Sequence, residues 1–284
     1  MASADTGPDI PENLFHTLPT IVDLHRDPSG STRSYYVLST RGTFCAAQAY
    51  SAVSLRRIGF RDEDFAQLDV RPAAAEAGSE EAAQWPHGEG VLVYARAVSG
   101  EEFLLSINTT PNNDALRLNS HHHGGTSTGT GTSGAEQGED EGTLRLPDGA
   151  QFLHYVLQTT IDYNADRSGS AQAADIEGAY VHRADAWTAA HRCLLAGDED
   201  EDSARSRFAE YDSRGDAGFI GEWPFDEDTA VHAVAETGQN FTVAVKTPPH
   251  IEAKRKAELR RVVERHKLGG EAGGAGEATK QAVK

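Results

Sequence analysis

The chain has 284 residues, with 44 acidic and 26 basic side chains, a formal charge of -18 and 38% hydrophobic residues. Its apolar runs are only a few residues long, too short for a bilayer, and Met1 to Phe15, carrying Asp5, Asp9 and Glu12, predicts no secretory signal. Two cysteines, Cys45 and Cys193, cannot staple a scaffold of this size, so a soluble intracellular protein with reduced thiols is expected, cytoplasmic or nuclear.

Residues 1–30 read as an N-terminal extension and 31–118 as a first module. In that module Tyr35 to Thr40 is aromatic and β-branched, which predicts a strand. Gly42-Thr43-Phe44 and the adjacent Cys45 open a short second strand, and the alanine-rich Ala46 to Ile58 suits a helix. Phe65 to Val70 predicts an edge strand. Val91, Val93, Ala95 and Ala97, then Phe103, Leu105 and Ile107, alternate around Ser99-Gly100 as a hairpin that Pro111 terminates.

Residues 119–142 hold His121-His122-His123 in a glycine, threonine and serine tract, the composition of a disordered linker. A second module is expected over 143–250. It has a strand over 152–161, a Gly178-Ala179-Tyr180 strand and a helix over Ala184 to Leu195. Ala186, Ala189, Ala190, Cys193 and Leu194 share one face of that helix. An edge strand from Phe208 to Asp212 and a hairpin from Ala230 to Val245 complete it. Between Ile251 and Leu268, seven lysines and arginines accompany Leu259, Val262 and Val263, which predicts a basic amphipathic helix; 269–284 reads as a disordered tail. Residues 251–284 hold 9 basic and 5 acidic side chains, leaving 17 basic against 39 acidic, a charge of -22, on the rest.

The two modules are copies of one unit. Tyr36-Val37-Leu38-Ser39-Thr40 matches Tyr155-Val156-Leu157-Gln158-Thr159, Gly42-Thr43-Phe44 matches Gly178-Ala179-Tyr180, and Ala49-Tyr50-Ser51-Ala52 matches Ala186-Trp187-Thr188-Ala189. Phe65-Ala66-x-x-Asp69-x-Arg71 recurs as Phe208-Ala209-x-x-Asp212-x-Arg214, and Trp85 to Pro111 aligns without a gap to Trp223 to Pro249. On this alignment copy two carries 17 extra residues between its first and second blocks, where the polar stretch from Asp162 to Asp175 lies, and a second insertion at Asp198-Glu199-Asp200-Glu201-Asp202. Added loop length costs little free energy. The expected fold is α+β: two tandem copies of a small, mostly antiparallel sheet with one helix (β-β-α-β-β-β), packed as a pseudo-dimer across a pseudo-two-fold interface.

Candidate binding residues are those that recur with their chemistry intact. Asp69/Arg71 and Asp212/Arg214 place opposite charges two apart, on one face of a strand, as a surface ion pair or a polar recognition element. Trp85 and Trp223 precede each hairpin, as core anchors or stacking platforms. No metal site or cofactor is predicted: the histidine triplet has no scaffold to fix ligand angles. His191 and Cys193 point to different helix faces, so the thiol reads as a small buried hydrophobe. Phosphate-loop, dinucleotide and hydrolase fingerprints are missing from the chain, and the acidic body disfavours nucleic acid.

The expectation is a non-catalytic binding or adaptor protein. A protein partner would use a sheet edge, the inter-module groove or the basic helix 251–268. The alternative is an enzyme with a site in that groove, metal-dependent in the manner of a lyase or dioxygenase, for which His154 and His232 are the candidate ligands.

Overall fold

The computed structural model describes residues 10–72, 85–119, 142–195, 197, 200–215 and 222–247. Strands β1 (Asn13–Asp23), β2 (Arg33–Tyr35), β3 (Ser39–Arg41), β4 (Phe65–Val70), β5 (Val91–Ala97) and β6 (Glu101–Pro111) form a first sheet in the order β2-β1-β6-β5-β4, with β3 also on β1. A two-stranded ribbon, β7 (Arg117–Leu118) with β8 (Leu144–Arg145), follows. Strands β9 (His154–Asp162), β10 (Gln172–Tyr180), β11 (Phe208–Ser213), β12 (Thr229–Ala235) and β13 (Gln239–Lys246) repeat the first topology as β10-β9-β13-β12-β11. All the pairings are antiparallel. Each sheet carries one long helix, α1 (Phe44–Arg57) or α2 (Arg183–Arg192), and a single turn, α3 (Glu201–Arg205), is added in the second module. The chain is thus two tandem α+β units, as the repeat predicts. Among the described residues no helix is long and apolar enough to cross a membrane.

Local chemistry explains the elements. Thr43 caps α1 by accepting the Ala46 N–H at 3.3 Å, and Arg56 and Arg57 lie in its last turn, where the helix dipole favours cations. Ala47 and Ser51 in α1, like Ala186 and Ala190 in α2, are buried, and small side chains at these positions let each helix lie close on its sheet. Beneath α1, Leu55, Phe60 and Phe65 close a core with Val93, Ala95, Phe103 and Leu105. Beneath α2, Ala186 and Ala190 meet Val156, Val231, Val243 and Val245. The period-two apolar positions of both hairpins therefore face the helices.

Residues 1–30, expected to lie outside module 1, supply its central strand. β1 pairs along its whole length with β6, from Asn13–Pro111 to Asp23–Glu101. This changes the register of the repeat. The first half of the module corresponds at a constant offset of 139 residues, from Leu14/Leu153 to Leu55/Leu194. Tyr36–Thr40 therefore matches β10 rather than β9, and Ala47, not Ala49, matches Ala186. Cys45 falls in α1 rather than in a strand, and the expected 17-residue insertion disappears. That stretch is the first hairpin loop, present in both copies as Asp-x-x-x-Asp-x-Ser-Gly-Ser, Asp23 to Ser31 and Asp162 to Ser170. The loops are wired alike. The Asp27 N–H donates to Asp23 O at 2.9 Å, as Asp166 does to Asp162 at 3.1 Å; Ser29 N–H donates to Asp27 Oδ1 at 3.0 Å, as Ser168 does to Asp166 at 2.8 Å. Gly30 (φ 70) and Gly169 (φ 80) take the left-handed conformation that closes each turn.

The faces turned away from the helices meet each other. Leu14, Leu18 and Val37 pack with their counterparts Leu153, Leu157 and Ile176, joined by Leu116, Ala179 and Val181. An interface in which equivalent residues meet equivalent residues is the signature of two-fold pairing. Polar groups follow the same symmetry at its margin: Arg33 Nη2 donates to Ser170 O at 2.6 Å, and its counterpart Gln172 donates through Nε2 to Ser31 O at 2.5 Å. The linker tract 120–141, the basic segment 251–268 and the tail 269–284 lie outside the described residues.

Candidate functional site

Four of the six sequence-predicted residues, Asp69 and Trp85 in module 1 and Asp212 and Trp223 in module 2, lie in or beside two matching ring stacks, one per module. Asp69 stands on β4 opposite Tyr94, and its carboxylate accepts from Gln67 Nε2 at 2.6 Å and His87 Nε2 at 2.7 Å. These bonds, that from Gln67 foremost, hold the Asp69 carboxyl below the usual range. The His87 imidazole lies flat on Tyr94, centroids 4.0 Å apart, and Trp85 meets it edge-on at 4.8 Å. Tyr94 donates to Glu102 Oε1 at 2.8 Å, and burial, aided by that carboxylate, pushes its phenol up to about 12. In module 2 Trp223 meets Phe225 edge-on at 5.1 Å and Phe225 stacks on His232 at 4.3 Å. The same three positions carry rings in both copies, with the imidazole moved from the middle ring to the last. Trp85 and Trp223 are thus members of packed stacks.

The expected ion pairs do not form. Arg71 lies just past the end of β4, against α1, while Asp69 turns to His87. Arg214 donates to the Glu227 carbonyl and places its guanidinium 5.8 Å from the Trp187 ring. Asp212 instead stands opposite His232 in the ladder. Desolvation holds the His232 imidazole below its ordinary range, although Asp212 and Glu210 pull the other way.

The histidines considered for a metal are not brought together. His154 shares the helix-side face of β9 with Val156 and bonds Thr247 Oγ1 at 2.8 Å, whereas His232 stands opposite Thr242 on the other face of the sheet. Among the described residues no group of three or more His, Cys, Asp or Glu side chains is placed to hold a metal ion. His121, His122 and His123 lie outside the described residues. Cys193 donates to Gln158 Oε1 at 3.3 Å and burial pushes its thiol up to about 12, so it stays protonated at neutral pH. His191 bonds Ser213 Oγ at 2.9 Å.

A groove of about 360 Å³ opens between the modules. Arg33 to Tyr36 form one wall; Leu157, Thr159, Thr242, Ala244 and Lys246 from sheet two form its floor; Asp226 and Asp228 stand at its rim. Asp228 lies between Arg183 at 3.6 Å and Lys246 at 3.8 Å. Tyr35 reaches Gln172 Oε1 at 3.4 Å and closes the end nearest the axis. At the symmetry-related position β10 crosses sheet one. There Asn108, the counterpart of Lys246, accepts the Ile176 N–H at 3.3 Å and donates to Asp175 at 3.5 Å. The two equivalent positions are thus wired differently.

Beside the axis, buried His16 bonds Thr40 Oγ1 through Nδ1 at 2.9 Å and Thr110 Oγ1 through Nε2 at 2.8 Å, and Thr40 meets the Tyr155 hydroxyl at 2.9 Å. The rings of His16 and Tyr155, equivalent residues of the two copies, meet edge-on at 5.6 Å. Burial holds the His16 imidazole down near 3, so it is neutral. His16, His87 and Tyr155 escaped sequence reasoning. The repeated Asp-x-x-x-Asp-x-Ser-Gly-Ser was the signal that would have set the register and paired the first with the last. Comparison with family models, curated proteins and solved structures returned no match.

Proposed function

We propose that this is a non-catalytic binding protein whose two modules present the open inter-module groove to a small polar ligand or to a side chain of a protein partner. The observation that carries the reading is the asymmetry of the two equivalent positions. At one position Asn108 bonds Asp175 across the interface, whereas at the other Lys246, Asp226, Asp228 and the Arg33–Tyr36 wall line a groove with cationic, anionic and hydroxyl groups around it. A mixed lining of this kind suits recognition of a ligand bearing both charged and hydrogen-bonding ends. The edge strands β4 and β11 and the basic segment 251–268 are further surfaces for a protein partner. Two unpaired cysteines, Cys45 exposed at that, accord with the reducing cytoplasm.

The test is to fill the groove. Saturation-transfer NMR with a library of small zwitterionic and hydroxylated molecules should find binders of the wild type that Thr242→Trp loses, none of them converted to product. Equal binding by the filled variant, or turnover of a bound molecule, defeats the reading.

A further inference from the structure

The two modules differ where the helix meets the end of the edge strand. In module 2 the cleft between α2 and the end of β11 is occupied by the protein's own Trp187. Its ring lies 5.2 Å from the Arg183 guanidinium and 5.8 Å from that of Arg214, with His191 edge-on at 5.5 Å. Module 1 builds the same cleft between α1 and the end of β4, where the residue equivalent to Trp187 is Gln48. Among the described residues the cleft stands open there, about 650 Å³ in volume.

Its walls have changed in step. The hydrogen-bonded pair His191–Ser213 of module 2 corresponds to Ala52 and Val70 in module 1, Thr188 to Ala49 and Ala230 to Leu92. Each exchange makes module 1 more apolar, although Ala49, Ala52 and Val70 are exposed, Val70 at 45%. The arginine is kept: Arg71 matches Arg214, and each donates its backbone N–H at 2.8 Å to the equivalent carbonyl, of Leu92 or of Ala230. Among the described residues no carboxylate pairs with Arg71.

We propose that the module 1 cleft is a docking site for an aromatic side chain carried on an acidic segment of a partner protein. The ring takes the place that Trp187 fills in module 2, seated on Ala49, Ala52 and Val70 and under the Arg71 guanidinium, while a neighbouring carboxylate of the partner meets that charge. The equivalent cleft shows what this backbone geometry holds, and Arg71, which meets no carboxylate among the described residues, sets the sign of what lies beside it. The surface is separate from the inter-module groove and does not depend on it.

The probe is a capped pentapeptide, Glu-Asp-Trp-Asp-Glu, carrying 5-fluorotryptophan and titrated with the full chain by fluorine NMR. The wild type should shift and broaden the resonance, and Gln48→Trp, which refills the cleft as in module 2, should weaken binding at least about tenfold. Arg71→Ala should weaken it about threefold through loss of the cation over the ring. Ala52→Glu, at an exposed helix position, provides a second block should Gln48→Trp fold poorly. No binding by the wild type at millimolar peptide overturns the proposal, as does equal binding by both blocked variants. Equal binding of a peptide with alanine in place of tryptophan also overturns it, by assigning the contact to charge alone. Self-association that Gln48→Trp abolishes, without peptide binding, would overturn it in favour of a second copy of the chain.

Discussion

Module 1 and module 2 bury side chains of the same kind at matching positions: Ala47 with Ala186, Val93 with Val231, Ala95 with Ala233, Leu105 with Val243, Leu18 with Leu157. Where the copies meet solvent or each other through polar groups, they part. His16 faces Tyr155, Gln48 stands where Trp187 fills a cleft, and Lys246 lines a groove where its counterpart Asn108 bonds Asp175 and Ile176 instead. The sheet-and-helix frame is set by packing, which tolerates little change in volume. Surface positions are free of that constraint, so a surface that differs between the copies is the place to test for a role peculiar to one of them.

The frame is the place where breaking the comparison costs most. Leu18→Ala and Leu157→Ala remove equivalent side chains from the core the modules share, so each should destabilise by about 2–5 kcal/mol and by similar amounts. Calorimetry should show one transition moving in either variant. Two transitions, with only the mutated module shifted, would mean that the halves fold independently and that the apolar contact between them is weak.

The same pairing explains what the sequence disclosed and what it hid. The hairpins were legible because Val91 to Ile107 and Ala230 to Val245 alternate with period two against a helix and carry Gly100 and Gly238 at their turns. The helices were legible through their alanine content and, in module 2, through Ala186, Ala189, Ala190, Cys193 and Leu194 at three-to-four spacing. β1 was not, because Pro19 stands within a central strand, where proline is normally absent. The structure accommodates it by interrupting the regular ladder at the neighbouring edge: β2 pairs as far as Thr20–Tyr35 and β3 resumes at Thr17–Ser39, while between them the Tyr36 N–H donates to Pro19 O at 3.3 Å and the Leu38 N–H to Thr17 O at 2.9 Å, so no donor is asked of the proline. In module 2 the equivalent residue is Gln158, which has an N–H, and β10 runs through with only a bulge between Ile176 and Gly178. With β1 unseen, the alignment slid by one strand and created a false insertion. The ring stacks were half legible: the tryptophans recur, but His87 and Phe225 share only shape, and the exchange of imidazole between positions is invisible without coordinates.

The buried pair at the axis sharpens the comparison through pH. Unfolded, His16 titrates near 6.5; folded, burial holds it near 3. Between these values the unfolded chain binds a proton that the native one refuses, so stability is full above about 6.5 and falls as the pH drops toward 3. By pH 4.5 the loss should be about 2–3 kcal/mol. His16→Gln, which keeps the hydrogen-bonding capacity and cannot titrate, should lack that part of the slope in urea melts taken across the range, while Tyr155 contributes none. Equal slopes in wild type and variant would show that the imidazole is hydrated.

A smaller effect separates the two clefts. Trp187 is partly buried over the α2 core and stacked on two guanidinium groups, so Trp187→Gln, which installs the residue of module 1, should cost about 1–2 kcal/mol. Gln48→Ala should change stability by less than about 0.5 kcal/mol, the scale of surface substitutions, because the cleft it borders holds nothing of the chain's own among the described residues. Chemical denaturation of both variants measures the difference. If Gln48→Ala cost as much as Trp187→Gln, the glutamine would already be filling its cleft, and the contrast between a self-satisfied copy and an open one would be lost.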